Sequence, residues 1–314
     1  MSSTEPERVR RDLDHLPAVQ QGELERAVAI LMRDFEAAIS GATQPWKRNG
    51  KVLKVVLFGS YARDDWVDEP ENGYQSDFDL LVIVNHADLT EVADYWYVAE
   101  DHIQRDPTIG RQVNIIVHSL DEVNNALRRG EYFWTDIARD GIALYELPGS
   151  VLATPTPLTS SDAYEMAAAY FEEWLPAVDR SLVTARGQAE QGLEDLGWRK
   201  DAAFTLHQAT ERACACFLLV RTLYFPRSHN IKFLRSLAED KDPRLIEAWP
   251  RATKQERRLF ELLKRAYVEA RYSPNFAIDS ADLASLTVWV VTFRNIVEVV
   301  CLERLEALRS EAGL

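Results

Sequence analysis

The stretch "LFGSYARDDWVDEPENGYQSDFDLLVIVN", Leu57 to Asn85, holds the two signals on which the reading of the chain turns. A Val- and Leu-rich run ends in Gly59-Ser60. Seventeen residues beyond Ser60, a second apolar run opens with Asp77-x-Asp79. Gly59 has no Cβ, so an anion can approach its backbone closely, and Ser60 adds a hydroxyl donor. The following "YARDDW" is expected to begin a helix, whose first N–H groups would face that anion. On a strand, alternate side chains share a face, which puts the Asp77 and Asp79 carboxylates on one side with Cα atoms roughly 6.5 Å apart. Two carboxylates so placed repel each other without a cation. A hard, oxygen-preferring ion such as Mg²⁺, or Mn²⁺ in its place, suits them and usually brings phosphate oxygens as further ligands. The pair of signals therefore points to a nucleoside triphosphate, most simply ATP, held with a divalent metal. Taken alone, Gly-Ser and Asp-x-Asp would each be ordinary turn or strand-end residues.

Around this stretch the first half mixes periods. "QQGELERAVAILMRDFEAAI" (Gln20 to Ile39) has apolar positions at helical spacing. "KVLKVVLF", "DLLVIV" and "VNIIVH" read as three strands, the last over Val113 to His118. "LTEVADYWYVAEDHIQR" between the last two reads as one helix. "SLDEVNNALRRG" reads as another, with Ser119 as N-cap and Glu122 completing a capping box. Strands alternating with helices indicate an α/β layer. The Pro-, Ser- and Thr-rich "ELPGSVLATPTPLTSSD" marks a boundary. We expect a domain over residues 1–148, a linker over 149–161 and a second domain over 162–314. Helical runs are expected near 160–190, 199–222, 229–240, 254–271 and 280–308, an all-helical bundle. In the last run Leu283, Leu286, Val290, Phe293, Val297 and Val300 form a packed seam. The overall class is α+β: an α/β domain with a small mixed sheet, then helices.

Composition limits what else the chain can be. Its 314 residues suffice for two domains. Three cysteines (Cys214, Cys216 and Cys301) argue against a disulfide framework and for a reducing cytoplasm, and the C-x-C pair reads as small core residues. No apolar signal segment opens the sequence, and Leu283 to Leu302 carries Arg294, Asn295 and Glu298, so no membrane span is expected. The net charge of −14 excludes a general polyanion binder. Two stretches run against it. Arg251 to Arg271 has seven basic and three acidic residues, and Arg221 to Arg235 has Arg221, Arg227, Lys232 and Arg235 with no acid. Such runs are most often solvated helix faces; the sharper alternative is RNA binding over Arg221–Arg271.

"GSYARDDW…SDFDLLVIV" resembles the minimal nucleotidyltransferases, the polymerase-β-like superfamily that includes kanamycin-type nucleotidyltransferases, over roughly Leu53 to Ile116. The gap between the two signals is longer than in the shortest members, by the acidic loop Asp64 to Gln75. "AAFTLHQATERACACFLLV", "PRSHNIKFLRSL" and "EARYSPNF" resemble the HEPN superfamily. The resemblance implies a nucleotidyltransferase domain fused to a HEPN-like bundle, forming a homodimer and acting on a nucleoside triphosphate with Mg²⁺. It implies that Gly59 and Ser60 hold phosphates, that Asp77 and Asp79 hold metal and are catalytic, and that Arg63 neutralises developing charge on the bound nucleotide.

Two positions depart from the pattern. Active members carry a third carboxylate on the strand beside Asp-x-Asp; the matching place here is Asn114, an amide that carries no charge and is no base at neutral pH. Asp64, Asp65 and Asp68 are candidates to replace it. In HEPN ribonucleases an Arg is followed after four to six residues by His. Here Arg271 stands in the motif's place and no His follows it. His207 reads as a packing residue. His229 is expected in a first helical turn capped by Ser228, and is the remaining partner for Arg271. Three readings follow. The first is an Mg²⁺-dependent nucleotidyltransferase with an unidentified acceptor hydroxyl on a small molecule, protein or RNA. The second is a HEPN-type ribonuclease regulated by the first half. The third is a catalytically weakened nucleotide- or RNA-binding module.

Overall fold

The structure, a computed structural model, describes residues 10–69, 74–226 and 228–314; residues 70–73 of the acidic loop and Arg227 of the basic stretch lie outside the described residues. The chain divides into two compact units, with the cut between Leu158 and Thr159.

The first unit opens with α1 (Ala18–Ile39) and the short α2 (Pro45–Arg48), then β1 (Val52–Phe58) and a single turn, α3 (Ser60–Arg63). A two-residue hairpin, β2 (Asp68–Glu69) and β3 (Tyr74–Gln75), leads to β4 (Phe78–Val84). After a 3₁₀ turn over Ala87–Thr90 come α4 (Val92–Tyr95), α5 (Tyr97–Arg105), β5 (Val113–Ser119), α6 (Leu120–Arg128), α7 (Tyr132–Asp140) and β6 (Ile142–Glu146). The sheet has the order β5-β4-β1-β6. It is mixed: β1 lies antiparallel to β4 and β6, while β4 and β5 run parallel.

β1 and β4 are buried along their whole length, which is why both read as near-continuous apolar runs, interrupted only by Lys54 and Asp79, rather than as alternating ones. One face is covered by α1, whose Leu24, Ala27, Ile30, Leu31 and Phe35 join Val55, Leu57, Leu80 and Val82 in one core. The capping box of α6 forms as its sequence indicates, with Ser119 Oγ accepting from Glu122 N.

The helix expected over "LTEVADYWYVAEDHIQR" is broken into a 3₁₀ turn, α4 and α5. The break falls at Trp96, whose ring is fully buried, stacks on Phe35 at 4.8 Å and donates its N–H to Leu89 O at 2.7 Å. Seating that indole outweighs helix continuity. β6, α2 and α7 went unread in the sequence. β6 is an edge strand with its last three residues half exposed, too little apolar signal to stand out. It is anchored by Glu146, which takes ion pairs from Arg11 and from Lys54, a lysine buried in the middle of β1.

The second unit is helical: α8 (Ser160–Gln191), α9 (Leu196–Thr222), α10 (Ile231–Lys241), a 3₁₀ segment over Pro243–Ala248, α11 (Lys254–Tyr272) and α12 (Ser280–Ala312). α9 runs through the middle, packed on α8, α10, α11 and α12. Its Cys214 and Cys216, with Cys301 of α12, are buried free thiols. α12 is long and apolar enough to cross a membrane, by length and composition alone. Its seam from Leu283 to Val300 is buried within the bundle, as in a core helix. The start of α10 differs from expectation. Asn230, not Ser228, is the N-cap, its Oδ1 accepting from Lys232 N and Phe233 N, so His229 precedes the helix instead of sitting in its first turn.

Candidate functional site

Antiparallel pairing of β1 with β4 sets Phe58 opposite Asp79, so the turn that follows β1 lies against the head of β4. The turn is made by Gly59, with φ 75° and ψ −154°, a combination reserved almost wholly for glycine. A Cβ on Gly59 would lie 2.6 Å from Asp79 Oδ2. Gly-Ser and Asp-x-Asp are therefore one structural unit. Gly59→Ala is expected to lower stability by about 1–3 kcal/mol through backbone strain and to displace the Asp79 carboxylate. Chemical denaturation checks the first effect and cation titration the second. The helix expected after Ser60 is a single turn that ends at Asp64 in a left-handed conformation. So short a helix has little macrodipole, and any cradle for phosphate rests on the N–H groups of the turn itself.

Asp77 is 6% exposed, Asp79 5% and Asn114 6%, so all three side chains sit away from bulk water. Parallel register places Asn114 of β5 opposite Asp79. Asn114 Nδ2 donates to Asp79 Oδ1 at 3.0 Å and to Asp77 Oδ2 at 3.4 Å, so one amide reaches both carboxylates and both lie on one face. Gln112 Nε2 donates in turn to Asn114 Oδ1 at 2.8 Å. The residues present fit a divalent cation with oxygen ligands: two adjacent buried carboxylates, beside a glycine that admits close approach. Asp77 and Asp79 would hold it. Asn114, as it stands, turns its N–H₂ to that place and its oxygen away. Among the described residues no group of three or more His, Cys, Asp or Glu gathers as a metal cluster.

Of the three candidate replacements for a third carboxylate, two pair with other side chains. Asp65 takes Arg63 Nε at 3.2 Å, which also turns Arg63 toward Asp65. Asp68 takes Arg111 at 2.9 Å and Gln75 at 2.9 Å. Asp64 is the exposed cap of α3. Arg111 escaped the sequence reading. Its guanidinium, 6% exposed, pairs with Glu23 of α1 and Asp68 of β2, and lies 5.3 Å over Phe78 and 5.7 Å over Tyr61. It ties the acidic loop to the head of β4. The Tyr61 hydroxyl beside it is pushed up to about 12 by burial.

In the helical unit a second cluster forms around Tyr267 of α11. The His229 ring stacks on it at 4.5 Å, and the Arg271 guanidinium lies 4.8 Å from its centroid, with Phe204 at 4.6 Å and Tyr272 at 4.9 Å. The His229 side chain is 59% exposed, and its Nδ1 lies 3.0 Å from Glu211 Oε2. No His follows Arg271 in the chain, and His229, the remaining candidate, lies against the same Tyr267 ring as Arg271. His207 is fully buried, with Nδ1 3.1 Å from Leu263 O and Nε2 3.1 Å from His229 O. Burial pushes its imidazole down to about 4, against the two carbonyls that favour the charged form. It packs inside the helical unit, between those two carbonyls.

Part of the charge in the basic stretches is paired within the unit. Arg235 and Arg251 pair with Glu239, Arg258 with Asp282, Lys264 with Glu261 and Arg265 with Glu269. Arg257 caps the carbonyls of Arg251 and Ala252.

Comparison with known families agrees with this division. The family profile of the nucleotidyltransferase domain matches residues 42–132, and that of the HEPN domain matches residues 171–304. No curated protein matches the chain.

Proposed function

We propose that this chain, a nucleotidyltransferase domain followed by a HEPN domain, moves a nucleoside monophosphate from ATP or another nucleoside triphosphate onto an acceptor hydroxyl. The observation that supports this best is the pair of near-buried carboxylates, Asp77 and Asp79, packed under the Gly59 turn. A bound Mg²⁺ or Mn²⁺ supplies charge neutralisation for the triphosphate. The chain's residues do the rest. The backbone at Gly59 and the Ser60 hydroxyl hold phosphate oxygens, and Asp77 and Asp79 hold the cation. Arg63, once released from Asp65, faces the bound nucleotide. The acceptor oxygen forms the new bond to the α-phosphorus, the α–β anhydride breaks, and pyrophosphate leaves. The hydroxyl proton passes to a carboxylate or to water, since the Asn114 amide accepts none at neutral pH. Two copies joined through the helical half, in a cytoplasmic setting, belong to the same proposal; Val288, Val299 and Leu302 leave apolar surface exposed on α12.

Mass spectrometry of small-molecule, protein and RNA acceptors after exposure to the chain with Mg²⁺ and mixed triphosphates tests this reading. If Asn114 limits it, Asn114→Asp adds a charge and a base. It is expected to tighten cation binding by about tenfold, the order of one charge-assisted contact. Calorimetric titration checks it, and unchanged affinity rejects the role given to that position.

The Tyr267 cluster favours a second reading: metal-independent RNA cleavage, with His229 oriented by Glu211 as proton carrier and Arg271 facing the phosphate. On this reading transfer RNA or messenger RNA is cut in the presence of chelator, and both His229→Ala and Arg271→Ala abolish the cutting. RNA left intact, or cleavage indifferent to both substitutions, rejects it.

A further inference from the structure

Asn114 is the side chain that stands between the two aspartates, and its orientation is wrong for a cation. Its Nδ2 donates to Asp79 Oδ1 at 3.0 Å and to Asp77 Oδ2 at 3.4 Å. Its Oδ1, the atom able to ligate a metal, accepts from Gln112 Nε2 at 2.8 Å. A positive ion between the carboxylates would meet the hydrogens of that N–H₂ group. The terminal torsion of an amide is soft and nearly two-fold, so a half-turn costs little by itself. What opposes it is Gln112. If Asn114 turns alone, its Nδ2 faces Gln112 Nε2, donor against donor. If Gln112 turns too, Oε1 replaces Nε2 and the contact is restored with its direction reversed.

We propose that Gln112 and Asn114 form a coupled pair of amides that turn together when a divalent cation enters. Asn114 then presents Oδ1 to the ion and donates Nδ2 to Gln112 Oε1. The inference rests on reading Asp77 and Asp79 as cation ligands. It makes Gln112 a positioning residue acting through Asn114. In the absence of cation the amide serves as a neutral donor to both carboxylates, and the chain closes its own metal place. The backbone at Gln112 is suited to such a pivot, because its carbonyl accepts from Phe78 N at 2.9 Å and fixes it beside the head of β4.

The test uses the whole 314-residue chain and Mg²⁺ alone. In a ¹⁵N-labelled sample, the side-chain amide resonances of Asn114 and Gln112 are expected to move together, with one midpoint, as Mg²⁺ is added. Gln112 resonances that stay still while Mg²⁺ saturates overturn the coupling. The second measurement is Mg²⁺ affinity in Gln112→Glu, where only an acceptor faces Asn114 and holds its Oδ1 toward the aspartates. Affinity is expected to rise about three- to tenfold more in the native background than in an Asn114→Ala background, the size of one hydrogen bond. Equal gains in both backgrounds reflect added charge alone and reject the proposal. Asp77→Asn separates the two levels. If it leaves Mg²⁺ affinity unchanged, the cation reading itself is wrong and the inference falls with it. If it removes Mg²⁺ binding while the two amides do not couple, the coupled turn alone is wrong.

Discussion

In the Asp77→Asn, Asp79→Asn double variant, affinity for Mg²⁺ with a nucleoside triphosphate falls by at least about 100-fold. Even partners one layer outside a metal's ligands cost about 10–100-fold when replaced, and these two would touch it. The fold persists, because each Asn keeps the size of the Asp and can exchange hydrogen bonds with Asn114 and its neighbours. Replacing two near-buried anions with amides also removes their mutual repulsion. Calorimetry for binding and circular dichroism for fold separate the two effects. Loss of both together would mean that the carboxylates serve structure and not a cation.

The second large effect is on stability. Arg111→Ala is expected to cost about 3–5 kcal/mol, since it leaves the buried Glu23 carboxylate without its cation and frees Asp68 from the body of the domain. The guanidinium's contacts over Phe78 and Tyr61 are lost as well. The midpoint of urea unfolding reads the loss. In the double variant Glu23→Gln, Arg111→Met most of it is expected to return, because an apolar chain of similar length and a neutral amide need no charge partner. A cost below about 1 kcal/mol for the single variant would show Arg111 to be a surface pair of little weight.

How much of this was legible in the sequence follows from the range of each signal. β1, β4 and β5 carried local apolar runs, and the bundle helices carried the three-four spacing, so both were readable over windows of ten or so residues. Trp96 was not: a helix broken by one buried indole looks like a helix until its partner Phe35 is known. β6 is short and half exposed, and what holds it is a lysine more than ninety residues away in the chain. At the candidate site, Gly59, Asp77 and Asp79 were marked by type and spacing, and Asn114 by the family resemblance alone. Gln112 and Arg111 were not, because an amide facing another amide and an arginine between two acids have no local signature. The same holds for His229 and Arg271, forty-two residues apart by their numbers but lying against one tyrosine ring. An Arg–His spacing rule has no means of finding a pair that the fold, and not the chain, brings together.

The measurement that bears most directly on the account is label transfer. The chain is incubated with Mg²⁺ and ATP labelled at the α-phosphate, alone and with extracts of small molecules, protein and RNA. Label is expected to move covalently to an acceptor with release of pyrophosphate. Transfer is expected to stop in chelator and in the Asp77→Asn, Asp79→Asn variant. Triphosphate bound equally well with and without Mg²⁺, indifferent to both aspartates and never transferred, would contradict it.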